Sequence, residues 1–130
     1  MSDAPAVLDG SALLALLLGE TGADRVADLL PRSAVSALNL SEVVAKLSER
    51  EVPELGIRTA LGDLDLDVRA FDQDAAFAAG RLREPTRNHG LSLGDRACLA
   101  LAMRLDAVAV TADRAWAGLG LDELQIELIR

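Results

Sequence analysis

Four acidic residues stand at places in this sequence where a strand ends or a helix begins. Asp9 directly follows a short apolar run, and Asp113 follows a β-branched run near the end of the chain. The pattern places Glu42 in the first turn of a helix after the second strand, and Asp95 at the start of the long helix that leads to the Asp113 strand. Ligands in open α/β sheets bind outside the carboxyl ends of the strands. We therefore expect the four carboxylates to meet at one edge of the domain.

Carboxylates gathered in one crevice define a particular chemistry. They repel one another and raise each other's pKa values unless a cation lies among them. A set of oxygen ligands without histidine or cysteine selects a hard ion, which here means Mg²⁺ or Mn²⁺. Such ions serve phosphoryl transfer, because they activate water and neutralise charge on the phosphate oxygens. The four acids predict a metal-dependent site of this kind.

Each acid also has a structural interpretation. Glu42 lies three residues after Asn39, and Asp95 lies three residues after Ser92, which is the spacing of a capping box. The two strand-end aspartates are suitable N-caps for the helices that follow them. Acids in a first turn also gain a few tenths to about 1 kcal/mol from the helix dipole. Taken one by one, Glu42, Asp95 and Asp113 fit capping at least as well as catalysis.

Alternating strand and helix patterns provide the elements that would position these residues. The strands are expected at residues 6–8, 34–36, 67–70, 107–111 and 125–128. The helices are expected at 11–18, 23–30, 41–50, 54–61, 73–83 and 93–105. The first and fourth strands lack polar alternation, which is typical of strands covered on both faces. The sequence predicts a single three-layer α/β domain over residues 1–130, with a mostly parallel sheet flanked by helices.

Bulk composition limits the setting in which the protein works. The single cysteine, Cys98, excludes an internal disulfide and favours an intracellular protein. No charged segment followed by an apolar run marks a secretory signal, and the strongly apolar stretch at 12–18 is too short to cross a bilayer. We expect a cytoplasmic protein without a membrane partner.

The net charge of −8 argues at first against a nucleic-acid partner, because such a field repels polyanions. Three aromatic residues also leave little scope for stacking on bases. A bound divalent cation answers the objection, since it places positive charge where a phosphate must dock.

Two other classes of protein use acids at strand ends. A receiver-type signalling domain needs paired acids after the first strand and a late lysine, whereas Asp9 stands alone and Lys46 lies in an early helix. A haloacid-dehalogenase-like phosphatase needs an aspartate two residues after the first, where this chain has Ser11. Both classes are disfavoured.

Four segments, in this order and spacing, resemble the motifs of PIN-domain ribonucleases, and particularly of the VapC-type toxins of toxin–antitoxin pairs. They are VLDGSALLALL (7–17), SALNLSEV (36–43), LSLGDRACLA (91–100) and VTADRAW (110–116). Together they span nearly the whole chain. Gly10 stands where relatives more often have alanine or threonine. Trp116 stands where many carry a further acid, which leaves the number of metal ions open.

The resemblance implies a magnesium-dependent endoribonuclease, with manganese as an alternative ion. It assigns the catalytic and metal-binding roles to Asp9, Glu42, Asp95 and Asp113. It makes Ser11 and Thr111 polar neighbours that orient a carboxylate or water, and Arg96 and Arg114 candidates for RNA contact. The alternative is a PIN-like binding module that is weak or inactive as an enzyme.

The same resemblance implies partners: an RNA substrate, a cognate antitoxin lying along a hydrophobic groove, and a second copy in a homodimer. One feature is compatible with a protein partner, namely a helix with more leucine than one buried face can hide. The other interpretation is a helix buried on most sides. The leucines concerned are Leu13, Leu14, Leu16, Leu17 and Leu18.

Overall fold

Five parallel strands form one sheet in the computed structural model, which describes residues 4–130, and their order is β3-β2-β1-β4-β5. The strands are β1 (Ala6–Leu8), β2 (Ser33–Ser36), β3 (Asp67–Arg69), β4 (Val108–Thr111) and β5 (Ile126–Leu128). The helices are α1 (Gly10–Leu18), α2 (Ala23–Leu29), α3 (Ala37–Glu49), α4 (Glu54–Gly62), α5 (Gln73–Arg81) and α6 (Leu93–Leu105). The prediction of an α/β fold with a central parallel sheet is confirmed.

Helices cover both faces of the sheet, so the fold has three layers. Leu8 points into a core built with α1, α2, α3 and α4, whereas Val7 points into a second core with α5 and α6. This alternation follows from the two-residue period of a strand. Both residues are fully buried, as expected for a central strand without polar alternation. The site residues that follow β1 therefore rest on a strand packed from both sides.

The start of α3 differs from the prediction. The helix begins at Ala37 rather than at 41, because Ser36 caps it by accepting a hydrogen bond from the backbone N–H of Leu38. Glu42 accordingly lies in the helix interior, and its predicted place in the first turn is wrong. Asn39 does not cap the helix either. Its side chain is held by contacts to α6, which sequence spacing does not show.

The leucine-rich helix α1 is covered largely by the chain itself. Leu13 is buried, and the other four leucines are partly buried against the core around β1. This supports the interpretation of a helix buried on most sides. Within residues 4–130, no helix is both long and apolar enough to cross a membrane.

Candidate active site

A pocket of about 200 Å³ opens at the carboxyl ends of β1 and β4, and all four predicted acids line it. The pairing of Leu8 with Val110 aligns the two strands, so that the residues following them emerge side by side. The lining residues are Asp9, Gly10, Ser11, Leu14, Asn39, Glu42, Lys46, Asp95 and Asp113. We refer to it below as the acid pocket.

Asp9 is the most deeply placed of the four acids, with 4% of its surface exposed. Its Oδ1 accepts hydrogen bonds from the Ala12 backbone N–H and the Ser11 hydroxyl, both at 2.8 Å. Its Oδ2 accepts one from the Thr111 hydroxyl at 2.6 Å. A carboxylate has about four lone-pair sites. Three are therefore occupied by the protein, and one remains for a ligand.

The two hydroxyls that hold Asp9 are themselves fixed by the backbone. The N–H of Ala112 donates to the Ser11 hydroxyl oxygen at 2.9 Å, and the N–H of Asp113 donates to that of Thr111 at 3.0 Å. Ser11 and Thr111 thus contact Asp9 directly, where the sequence predicted polar neighbours. This network joins the end of β1 to the segment that carries Asp113.

Burial raises the pKa of Asp9 above its ordinary value of 3.8, and the negative charge of Asp95 raises it further. The hydrogen bonds from Thr111, Ala12 and Ser11 act in the opposite direction. The dominant cause is desolvation of the charged form. A positive ion in the acid pocket would relieve both unfavourable effects.

Glu42 reaches the acid pocket from α3, and its carboxylate lies against the first turn of α6. The side-chain amide of Asn39 donates from Nδ2 to Glu42 Oε1 at 2.9 Å and to the Gly94 carbonyl at 3.0 Å. A Cβ added at Gly94 would overlap the Glu42 carboxylate. Glycine at position 94 therefore makes room for this acid.

Asp95 and Asp113 line the acid pocket and also take part in capping the helices at which they lie. Asp95 Oδ2 accepts from the Ser92 N–H, and the Ser92 hydroxyl oxygen accepts from the Asp95 N–H, which completes a capping box. Asp113 Oδ1 accepts from the Ala115 N–H at the start of a 3₁₀ helix over Arg114–Gly118. With Asp9 as the N-cap of α1, the capping interpretation is confirmed for three acids and wrong for Glu42.

The donor set suits a hard divalent cation. All four acids offer carboxylate oxygens, and Asp9 keeps an unoccupied lone-pair site in a desolvated setting that penalises uncompensated charge. In the part of the chain that the structure describes, no three acid, histidine or cysteine side chains converge on one point as ready ligands. The carboxylates line the wall of the pocket, so direct ligation by three of them would require side-chain rotation toward the ion. The oxygen ligands and the desolvated setting of Asp9 therefore fit such an ion.

Other residues singled out from the sequence lie outside the acid pocket. Arg96 points toward α5, where its guanidinium donates to the Ala79 carbonyl, and Arg114 is exposed beside Asp113 without lining the pocket. Trp116 is fully buried in the core. Cys98 is also buried, and burial together with the charges of the nearby acids raises the pKa of its thiol well above 9.0.

Two polar residues of the acid pocket were not predicted from the sequence, Asn39 and Lys46. The sequence also did not predict the role of Gly94, which bounds the Glu42 carboxylate beside the pocket. One face of α3 carries Asn39, Glu42 and Lys46, because Glu42 follows Asn39 by three residues and Lys46 follows it by seven. That spacing was available once the helix start was known. The role of Gly94 was not available, because it depends on a contact across 52 residues of sequence.

The chain matches the family model described as PIN domain over residues 6–120. Ribonuclease VapC42 of Mycobacterium tuberculosis is 36% identical over 106 residues, which cover 74% of this chain and 81% of that protein. Among solved structures, VapBC-5 of the same species has a TM-score of 0.63 at 26% identity, covering 96% of this chain and 98% of the other. A toxin-antitoxin complex from Klebsiella pneumoniae has a TM-score of 0.74 at 21% identity, with 96% and 98% covered.

The parallel sheet, the acid pocket at its carboxyl edge and the family match over most of the chain define one class of protein. The chain belongs to the PIN-domain family. Its identity to VapC42 places it within the VapC group of that family.

Proposed function

We propose that this protein is a divalent-metal-dependent endoribonuclease that acts as the toxin of a toxin–antitoxin pair in the cytoplasm. The observation that carries the proposal is the collection of all four PIN-type acids in one pocket, with Asp9 buried and held by two hydroxyls. The likeness to a protein named as a VapC ribonuclease supports RNA as the substrate.

The chain's own residues provide a rigid frame for the reaction. Ser11 and Thr111 fix the Asp9 carboxylate, and Asn39 fixes the carboxylate of Glu42. Asp9, Glu42, Asp95 and Asp113 would hold Mg²⁺ or Mn²⁺. The bound ion would supply charge neutralisation at the scissile phosphate and acidify the attacking water. Asp9 must be ionised to hold the ion, and a cation nearby would stabilise its charge against the desolvation that raises its pKa.

The experiment tests RNA cleavage by the purified chain, freed of any antitoxin by unfolding and refolding. The chain is incubated with total bacterial RNA and Mg²⁺, with EDTA and with the Asp9→Asn variant as controls. Asp72→Asn is the matched control, because Asp72 also caps a helix, accepting from the Ala75 N–H, but does not line the acid pocket. We expect discrete fragments from the wild type and Asp72→Asn only.

Two other results would contradict the proposal. Fragments that persist in EDTA or with Asp9→Asn would exclude the acid pocket as their source. Intact RNA from folded wild-type protein, across several bacterial RNA pools, would favour a PIN-like binding module without enzyme activity.

An apolar groove of about 600 Å³ between α3, α4 and the edge strand β3 is our candidate for the antitoxin-binding surface. Its apolar lining residues are Leu40, Val44, Ile57, Leu61, Leu66 and Val68. Val68 is 41% exposed at the sheet edge, so it can change without disturbing the core. The similar solved structures, VapBC-5 of Mycobacterium tuberculosis and the toxin-antitoxin complex from Klebsiella pneumoniae, support a protein partner of this kind.

The groove is tested with the Val68→Lys variant and the cognate antitoxin. We expect weaker capture of the antitoxin, while RNA cleavage by the free toxin remains unchanged because Val68 lies outside the acid pocket. Phe77→Lys is the control, since Phe77 is 66% exposed on α5 and away from the groove. Unaltered capture by Val68→Lys would exclude this groove as the antitoxin-binding surface.

The expected homodimer is tested separately, by measuring the mass of the free toxin in sedimentation experiments.

A further inference from the structure

Asn39 is a buried polar residue in the acid pocket whose role neither the helix nor the core explains. It has 1% of its surface exposed, inside α3 and one turn before Glu42. Buried amides require hydrogen-bond partners. Asn39 lies in the first turn of α3, three residues after the Ser36 cap, and its side-chain partners are the Glu42 carboxylate and the Gly94 carbonyl of α6. Its presence there calls for a tertiary reason.

Both hydrogen bonds of Asn39 leave from the same nitrogen. Nδ2 donates to the Glu42 carboxylate and to the Gly94 carbonyl, and both partners can only accept. These two acceptors fix the orientation of the amide, because the opposite orientation would place three oxygens together. Asn39 Oδ1 is buried and has no partner among the described residues. A buried acceptor without a partner costs stability. The unpaired Oδ1 is therefore not explained by a role of Asn39 in joining two helices alone.

The Glu42 carboxylate is confined from two sides. Asn39 holds it by a hydrogen bond, and the missing side chain of Gly94 provides the space it occupies. Asn39 also bonds to the first turn of α6, the turn that carries Asp95. One amide therefore links the Glu42 carboxylate to the turn of α6 that carries Asp95.

We infer that Asn39 is a positioning residue for the metal site. It acts through Glu42, which it orients, and through the first turn of α6, which it holds at a fixed distance from α3. The inference rests on the proposed function, because it requires the acid pocket to bind a divalent cation.

A purely structural role makes a different prediction, and Thr86 provides the comparison. Thr86 is also 1% exposed, and its hydroxyl donates to the Leu82 carbonyl at 2.6 Å, away from the acid pocket. Replacing either residue with an apolar residue of similar size removes a buried hydrogen bond. Stability should therefore fall in both variants, whereas metal binding should fall in only one.

The experiment is a calorimetric titration of Mn²⁺ alone into wild type, Asn39→Leu and Thr86→Val, with thermal unfolding measured in EDTA. We expect Asn39→Leu to bind Mn²⁺ roughly 10- to 100-fold more weakly, the range for loss of a partner that orients a metal ligand. Thr86→Val should bind as the wild type does. In a Glu42→Gln background, Asn39→Leu should have a clearly smaller effect on the Mn²⁺ affinity, because the part that passes through Glu42 is lost and only the part that passes through the first turn of α6 remains.

Each remaining result decides against the inference. A folded Asn39→Leu variant with wild-type affinity would overturn it, and so would an undiminished effect in the Glu42→Gln background. If Asn39→Leu does not fold, the smaller polar variant Asn39→Ser replaces it. Failure of both to fold would assign Asn39 to a structural role. Wild-type protein that binds no Mn²⁺ would instead refute the metal site of the proposed function, and this inference with it.

Discussion

Asp9 and Glu42 line the same pocket but are held in different ways. Asp9 follows the central strand and accepts three hydrogen bonds, two of them from hydroxyls that are fixed by the backbone. Glu42 projects from the interior of a helix, accepts one hydrogen bond from its own helix, and fits beside a glycine of another. Asp9 therefore depends on the pairing of β1 with β4. Glu42 depends on the spacing between α3 and α6.

Because Asp9 and Glu42 are held differently, we expect substitutions at the two positions to affect folding stability and RNA cleavage to different degrees. Asp9 is buried and its pKa is raised, so in the absence of metal its charge opposes folding. Glu42 is only partly buried and caps nothing. Changes at Asp9 should therefore alter both folding and cleavage, whereas changes around Glu42 should alter mainly cleavage.

The largest expected effects come from removing either carboxylate. Asp9→Asn and Glu42→Gln should each lower single-turnover RNA cleavage by more than the roughly 100-fold that loss of an orienting partner costs. Their metal-free stabilities should differ. Asp9→Asn should keep or gain stability because asparagine also caps helices and carries no charge, and Glu42→Gln should leave stability nearly unchanged. Urea unfolding in EDTA measures this, and a loss above about 2 kcal/mol in Asp9→Asn would show that the Asp9 carboxylate supports folding rather than opposing it.

Substitutions at Gly94 and Gly10 test how the position of the Glu42 carboxylate affects RNA cleavage. Gly94→Ala should displace the Glu42 carboxylate and reduce cleavage about 10- to 100-fold, the cost of misplacing a ligand. Stability should change by no more than about 1 kcal/mol, because the displaced group is the end of a flexible side chain and alanine favours the helix. Gly10→Ala is the control, since a Cβ there would lie 3.5 Å from Glu42 Oε1, in ordinary contact. Equal activity losses in the two variants would contradict this explanation.

The pH dependence of the free energy of unfolding tests whether burial raises the pKa of Asp9 in the folded protein. Because its folded pKa is raised, Asp9 contributes stability that is fully present below pH 3.8 and lost as pH rises through the folded pKa. Asp9→Asn lacks this loss. In EDTA, the free energy of unfolding of the variant relative to wild type should therefore increase with pH above 3.8 and then level off. Urea unfolding over a pH series checks it, and a difference that does not vary with pH would refute it.

The smallest effect is expected at Lys46, which lines the acid pocket from the same face of α3 as Glu42. Lys46→Ala should raise the KM for RNA a few-fold. It should also make the plot of log affinity against log salt concentration less steep by ~0.7, the contribution of one phosphate contact to a single strand. The control is Arg58→Ala, because Arg58 is exposed on α4 and pairs with Glu54 outside the pocket. Equal effects from both variants would indicate general electrostatics rather than a contact at the site.

All four acids of the site were predictable from the sequence, whereas the contacts that orient Glu42 between two helices were not. Asp9 and Asp113 follow recognisable strands, and parallel strands bring their carboxyl ends to one edge. The ends of β1, β2 and α6 agree with the expected positions. These strand and helix ends follow from the apolar runs and the helical periodicity within each element, which can be read from the sequence.

The contacts around Glu42 depend on tertiary packing. Asn39 and Ser41 have the residue types of helix caps, which led to a helix start at 41, whereas Ser36 is the cap. The contact between Asn39 and Gly94 joins residues 55 apart in sequence. Arg96 follows a site acid in sequence but points to α5. The single sequence contains no signal for these orientations.

Three of the four acids in the pocket double as helix caps, and this has a consequence for the evolution of related chains. A relative that lost nuclease activity would still need Asp9, Asp95 and Asp113, or other capping residues in their places, to begin its helices. Glu42 would be released from selection, together with Gly94, because neither caps a helix. The pair Glu42 and Gly94 should therefore mark active enzymes among homologues better than the three aspartates do.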